Sequence, residues 1–345
     1  MTQHADVVVV GGGQAGLAAG YYLRRAGLDF TILDAQTTPG GAWQHGWDSL
    51  HLFSPAAYSS LPGRLMPPQE GKPFPDISHV LEYLTDYEKR YELPVQRGVR
   101  VTGVHDRAPL LRVQTDSGAW TARAVISATG TWWRPFVPSV PGRADFRGRQ
   151  LHTAEYRSPG DFAGRRVIVV GGGNSGAQIA ADLAPHATVR WVTQRPARYL
   201  PDDIDGRALF ELATRRVQTG GPRISDLGDI VAVPPVREAR DAGLIPDHGM
   251  FDTLTADGAR WADGSLWPCD AVIWCTGFRP ALSHLAPLGL RTDGGGIPTE
   301  GTRAVADPRV HLLGYGDWTG PASATLIGVG RTARDAAREI ADLLS

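Results

Sequence analysis

Cysteine is scarce in this chain of 345 residues: Cys269 and Cys275 are the only two, and no Cys-x-x-Cys pair occurs. Neither a dithiol redox centre nor a structural zinc site is supported, and Cys275, inside an apolar strand-like run, reads as inert core. Lysine is scarce too, Lys72 and Lys89 being the only ones, which reads as coding bias rather than function. Neither sign of charge dominates, with 35 basic and 36 acidic residues and a net charge of −1. This removes the electrostatic case for nucleic acid or an anionic membrane surface as a partner. No apolar run approaches the roughly 20 residues that span a bilayer, and the chain enters its first strand just after Asp6, unlike a signal peptide. A cytoplasmic protein with no metal is expected. Its 42% hydrophobic content suffices for one large core or, more naturally, two domains.

What is abundant is glycine, and it is patterned. Val7-Val8-Val9-Val10 runs into Gly11-Gly12-Gly13-Gln14-Ala15-Gly16, and Val167-Ile168-Val169-Val170 runs into Gly171-Gly172-Gly173-Asn174-Ser175-Gly176. Each copy is a β-branched run of the kind that forms a strand buried on both faces, then a GxGxxG turn, then an Ala-rich, helix-favouring segment. The first glycine permits the tight turn, the second lets backbone approach a pyrophosphate, and the third lets helix and strand pack closely. Helix N-terminal amides then face the phosphates. Two copies in matching contexts predict two bound dinucleotides.

Their identity follows from laying one copy on the other. The first unit continues through Phe30-Thr31-Ile32-Leu33 to Asp34, a carboxylate placed to accept hydrogen bonds from an unphosphorylated ribose. The corresponding position in the second unit, after Val189-Arg190-Trp191-Val192-Thr193, is Gln194 followed by Arg195. There the carboxylate is absent and a guanidinium suits a 2′-phosphate. The first site is expected to take FAD and the second NADPH.

After Asp34 the turn Thr38-Pro39-Gly40-Gly41-Ala42-Trp43 opens a long irregular stretch, Gln44 to Pro75, whose aromatic content argues for a functional loop packed over a ligand. Ile77 to Tyr91 has amphipathic helical spacing, with Val80, Leu81, Leu84 and Tyr87 or Tyr91 on one face. Strand patterns follow at Val99 to Val104, Leu110 to Thr115 and Trp120 to Ser127. A similar signal recurs around Asp257-Gly258 and Asp263-Gly264 before Ala271 to Cys275, so each unit carries a β-meander. Each meander returns into a similar tripeptide, Ala128-Thr129-Gly130 and Cys275-Thr276-Gly277. Pro135 to Pro141 reads as a crossover and Phe278-Arg279-Pro280 as the return. Val310 to Asp317 reads as strand and turn, leading through Ser323 into a closing helix that ends near Leu344. The layout is α/β: a discontinuous FAD-binding domain, 1–142 and 280–345, interrupted by an NADPH-binding domain, 143–279.

The run Phe146-Arg147-Gly148-Arg149-Gln150-Leu151-His152-Thr153-Ala154-Glu155-Tyr156 fits the FxGxxxHxxx(F/Y) fingerprint of the class B flavin-dependent monooxygenases at every fixed position. Gly40 to Trp43, Ala128 to Gly130 followed by Pro135, and Gly316-Asp317 are similar to further motifs of that family. The chain thus resembles the flavin-containing monooxygenases over essentially its whole length. The terminal Tyr156, where Baeyer–Villiger relatives carry tryptophan, favours the heteroatom-oxidising branch. The wording of 40–45, 54–63 and 200–207 is most similar to the small flavin monooxygenases of bacterial arsenic-resistance operons.

That resemblance implies two Rossmann-like domains in a glutathione-reductase-like architecture. It also implies an NADPH-dependent FAD monooxygenase that oxygenates trivalent arsenic, an organoarsenical, sulfur or nitrogen with O₂ through a flavin C4a-hydroperoxide. The only asparagine here is Asn174, so the active-site asparagine that animal-type members carry after the GGxW motif is missing. This keeps an uncoupled NADPH oxidase, or a pyridine-nucleotide oxidoreductase without oxygenation, as the alternative; a sensor holding both nucleotides without turnover is a third reading.

By resemblance, FAD is held by Gly11, Gly13, Gln14, Ala15, Gly16, Asp34, Ala35, Gly41, Trp43, Val101, Thr129, Gly130, Asp317 and Thr325. The helix starting near Ser323 would aim its N-terminus at the flavin. NADPH is assigned to Gly171, Gly173, Asn174, Ser175, Gly176, Thr193, Arg195, Thr276 and Gly277. Gln44 and Ser54 are candidates at the reaction centre, with His152 as a hydrogen-bonding strut. Trp47, His51, Ser54, Tyr58, Trp132 and Trp133 either wall a substrate pocket or pack the loop. A homodimer is compatible with all of this.

Overall fold

The structure is a computed structural model that describes residues 2–202, 204, 208, 230–292 and 295–345. In chain order β1 (Thr2–Val10), α1 (Gln14–Arg25), β2 (Phe30–Asp34), α2 (Ile77–Arg90), β3 (Val95–Arg97), β4 (Val101–Arg107), β5 (Leu110–Thr115) and β6 (Ala119–Ser127) come first. Then follow β7 (Arg149–His152), β8 (Arg166–Val170), α3 (Asn174–Leu183), β9 (Thr188–Thr193), α4 (Pro234–Asp241), β10 (Asp247–Gly249), β11 (Thr253–Thr255), β12 (Gly258–Arg260), β13 (Leu266–Pro268) and β14 (Ala271–Trp274). Last are β15 (Thr299–Glu300), β16 (Arg303–Ala304), β17 (Val310–Leu312) and α5 (Val329–Leu344). The expected 200–207 loop lies largely outside the described residues.

The chain divides into two compact units, one of Met1–Gln44, Pro55–Trp133 and Pro280–Ser345, the other of His45–Ser54 and Arg134–Arg279. In the first, the order β15-β16-β17-β6-β1-β2-β3 has parallel pairing of β1 with β2 and β6, of β2 with β3 and of β6 with β17. β4 and β5 form the expected meander by antiparallel pairing into β6. Val7 to Val10 are buried because strands flank β1 on both edges and apolar layers cover both faces. Helix α2 turns Val80, Tyr83, Leu84 and Tyr87 inward; Tyr83, not Leu81, takes the fully buried place, and its hydroxyl donates to the Arg64 carbonyl at 2.7 Å.

In the second unit β10-β9-β8-β14-β7 are all parallel. Side chains alternate across β8: Val167 and Val169 enter one core with Leu151, Trp191 and Ile273, while Ile168 and Val170 enter another with Val192, Val272 and Trp274. β11, β12 and β13 form a separate antiparallel meander. The first core also receives Trp47, with Leu50 and Phe53 against it. Part of the long irregular stretch is therefore structural to the second unit.

Candidate nucleotide sites

The two GxGxxG turns are built alike. Gly11 has φ +106°, and a Cβ added there would lie 2.5 Å from the Ala128 carbonyl oxygen; Gly171 has φ +136°, with the same atom 2.2 Å from the Cys275 oxygen. A Cβ on Gly16 would lie 1.9 Å from the Gly11 oxygen, and one on Gly176 2.1 Å from the Gly171 oxygen. These contacts demand glycine and explain why the tripeptides at 128–130 and 275–277 recur. The middle glycines behave differently: a Cβ on Gly173 would meet nothing within 4 Å, and one on Gly13 only the Gly41 Cα, at 3.7 Å. Space is left beside exactly those backbone positions where a pyrophosphate would lie. Neither α1 nor α3 has a side-chain N-cap or an acid in its first turn, so their leading amides suit an anion.

In the first unit several of the expected residues meet at the glycine turn. Gly41, at φ +56°, brings the GGAW turn against the Gly13 backbone. Trp43 Nε1 donates to Gln14 Oε1 at 2.9 Å, and Gln14 Nε2 donates to the Ala324 carbonyl at 2.8 Å. Asp34 is buried beside Gly12 and accepts from the Gln36 amide at 3.2 Å. Arg97, which sequence reasoning missed, forms ion pairs with both Asp34 and Glu88. Burial raises the Asp34 carboxyl above its ordinary range, opposed by the Gln36 amide and the Arg97 guanidinium. Ala35 is half-buried after β2, and Val101 packs on the core at the start of β4. Thr129 donates to the Ala281 carbonyl at 2.7 Å, and Gly130 has φ +62°.

One expectation there needs correction. The closing helix begins at Val329 rather than near Ser323. Ser323 is fully buried in the preceding turns, its hydroxyl donating to the Gly316 carbonyl at 2.8 Å, and Ala322 at φ +59° breaks any helix. Thr325 caps that turn, donating to the Ala322 carbonyl and accepting from the Gly328 amide, while Asp317 is exposed in the loop they hold. Gln44 is committed locally: its Nε2 donates to the Thr38 carbonyl at 2.9 Å and its Oε1 accepts from the Thr38 hydroxyl.

In the second unit Asn174 Oδ1 accepts from the Val231 amide at 2.8 Å, and Ser175 is half-buried at the α3 N-terminus. Thr193 is buried with its methyl toward Gly172, whereas Arg195 is exposed just beyond β9. The Thr276 hydroxyl donates to the Phe136 carbonyl. His152 is 3% exposed. Its Nδ1 accepts from the Ala154 amide at 3.2 Å, and its Nε2 lies 2.9 Å from the Gly277 carbonyl, an acceptor only. Nε2 therefore carries the hydrogen. Burial lowers its pKa, so the ring is neutral with both nitrogens occupied, as a strut requires.

The substrate candidates are divided between the two units. Trp47 is a core residue, 4% exposed and edge-on to Tyr156, which favours the packing alternative over the pocket wall for this residue. His51 and Ser54 belong to the second unit, and Tyr58, Trp132 and Trp133 to the first. Burial pushes both thiols up to about 12, which disfavours thiolate chemistry. Among the described residues no group of acids, histidines and cysteines suits a metal, and no helix is long and apolar enough to cross a membrane.

A family model described as pyridine nucleotide-disulphide oxidoreductase matches residues 8–205. The flavin-containing monooxygenase of Stenotrophomonas maltophilia is 51% identical, covers 100% of both chains and superposes with a TM-score of 0.92. An uncharacterized CzcO-like oxidoreductase of Geobacillus kaustophilus is 32% identical across 82% of this chain and 83% of its own. The indole-3-pyruvate monooxygenase YUCCA8 of Oryza sativa subsp. japonica is 28% identical across 97% and 90%.

Proposed function

Since the chain belongs to the flavin-containing monooxygenase family, whose cofactors are FAD and NADPH, we propose that it is an NADPH-dependent monooxygenase that transfers one oxygen atom from O₂ to a soft heteroatom of a small molecule. FAD is assigned to the first unit and NADPH to the second. The observation that carries this is the duplicated turn: both copies leave the second glycine open where a pyrophosphate belongs, and only the second lacks the acid after its second strand. Bound there, NADPH supplies hydride and FAD the oxygen-activating chemistry. The chain's task is to bind, orient and exclude water. Gln14 holds Trp43 beside the first turn and His152 bonds to the Gly277 carbonyl, while Asp34, beside Gly12, would hold the FAD ribose and Arg195 the 2′-phosphate of NADPH. Tyr156 and the loop wording support trivalent arsenic or an organoarsenical as substrate, with sulfur or nitrogen next.

The test is product analysis under ¹⁸O₂ with NADPH, arsenite, an organoarsenical or a thioether. One labelled oxygen per NADPH supports the reading and identifies the substrate class. Stoichiometric H₂O₂ with every compound would instead make this an NADPH oxidase.

A further inference from the structure

Buried polar side chains meet at the end of β6 in the first unit. Thr129 Oγ1 donates to the Ala281 carbonyl and lies 2.8 Å from Tyr315 Oη; Tyr315 Oη lies 3.0 Å from Ser127 Oγ, which lies 3.1 Å from His284 Nε2. Each hydroxyl has one hydrogen to give. A carbonyl only accepts, so the Thr129 hydrogen is spent and Tyr315 must donate to Thr129. Ser127 then donates to Tyr315, and His284 donates through Nε2–H to Ser127. The chain has one direction, from His284 to Ala281. Burial holds His284 down at about 4, so its ring is neutral near pH 7, and burial raises the Tyr315 phenol, which stays a donor.

The two ends of this chain belong to different parts of the site. Tyr315 begins the loop that carries Asp317: its amide donates to Thr319 Oγ1 at 3.0 Å, Thr319 and Ser323 share a hydrogen at 2.8 Å, and a Cβ on Gly314 would lie 2.8 Å from the Ala15 Cβ. At the other end the Ala281 amide donates to the Gly130 carbonyl at 3.0 Å. Thr129 and Gly130 lead the chain out of the unit, and Ala281 brings it back. The phenol of Tyr315 is the side-chain link between the loop and these paired segments.

We propose that Tyr315 is a positioning residue whose hydroxyl transmits occupancy of the FAD site from the Asp317 loop to the return segment Ala281–His284. This rests on the assignment of FAD to the first unit. No residue of 281–284 is among those expected to touch FAD, so an effect of FAD there travels through protein contacts, either directly from Thr129 and Gly130, which bond to Ala281, or through the Tyr315 phenol, and loss of the phenol alone separates the two routes.

The experiment is amide hydrogen exchange of residues 281–284 with and without FAD, in the wild-type protein and in Tyr315→Phe and Ser127→Ala. In the wild type FAD slows exchange by about ten-fold, the effect of one well-made buried hydrogen bond. Tyr315→Phe lacks the bond to Thr129 but keeps every residue expected at FAD, so it binds FAD yet loses that slowing. Ser127→Ala keeps it, because Tyr315 still donates to Thr129, although the buried His284 N–H loses its acceptor. Undiminished slowing in Tyr315→Phe overturns the inference while the flavin assignment stands, and equal loss in both variants reduces Tyr315 to packing. A wild-type protein that binds no FAD overturns the assignment and the inference together.

Discussion

Asp34 and Arg97 stand opposite each other on the parallel strands β2 and β3 and form a largely buried ion pair. The same guanidinium reaches Glu88, so one cation serves two carboxylates. Removing it leaves both carboxylates, largely shielded from water, without their cation. Arg97→Gln is expected to lower stability by about 3 kcal/mol, measured by urea unfolding of the FAD-free protein. Asp34→Ala leaves the fold in place and lowers the flavin content of purified protein; unchanged content would remove Asp34 from the FAD site.

Gly173 and Gly16 separate binding from folding. Gly173 has ordinary extended backbone and room for a methyl group, so Gly173→Ala folds with an unchanged melting temperature and binds NADPH at least ~10-fold more weakly. Gly16→Ala drives a methyl into the Gly11 carbonyl and yields protein that is unstable and free of FAD. Titrating NADPH and measuring flavin content checks both; normal NADPH affinity in Gly173→Ala would show that nothing approaches that turn.

Arg195→Ala is expected to raise KM for NADPH by roughly ten-fold or more, the scale of a charge-assisted contact to phosphate, and to leave KM for NADH unchanged. Steady-state kinetics with both nucleotides decides it. Equal changes would dissociate Arg195 from the 2′-phosphate.

Buried neutral histidines predict an acid limb of stability. Burial lowers His152, and holds His284 and His311 down at about 4. The unfolded state therefore binds more protons below about pH 6.5, and stability falls as pH drops from there toward 4. His152→Gln reduces the slope by at most about one proton, as read from melting temperatures at pH 7, 6 and 5.

Asp76 adds to the same limb at lower pH. Burial opposes its ionisation, but hydrogen bonds from Lys72, Ser78, the His79 amide and Gln69 outweigh that and hold the carboxyl well below its usual range. Its contribution is complete above about pH 4 and is lost as pH falls further. Asp76→Ala costs roughly 1 kcal/mol at pH 7 through the lost α2 cap, and an unchanged urea midpoint there would refute the cap.

The turns, meanders and fingerprint were legible because their signals are local: β-branched runs, glycine spacing and Asp-Gly turns all act within a few residues. Arg97 was not, since its partners come from a parallel pairing between segments far apart in sequence that share no turn. Trp47 sits among aromatic and proline residues that read as a loop, and only the tertiary fold assigns it to a core. The helix start was misplaced for a similar reason. Ser323 looks like an N-cap, yet its hydroxyl serves the Gly316 carbonyl, and the left-handed Ala322 delays the helix to Val329. The fingerprint singled out His152 as a hydrogen-bonding residue, whereas its partners and tautomer needed the Gly277 carbonyl and the Ala154 amide.

The ten residues from His45 to Ser54 give the second unit a debt to the N-terminal part of the chain. Trp47 lies in its core, the Asp48 amide donates to the Arg157 carbonyl at 3.0 Å, and Arg157 Nη1 donates to the His45 carbonyl at 2.9 Å. A fragment cut at 134–279 would therefore expose an aromatic-sized gap and fold poorly. On the ribosome, the second unit can close once residue 279 has emerged, provided this borrowed decapeptide is captured. The first unit must wait for β17 and α5, so the later-encoded unit matures around a piece of the earlier one.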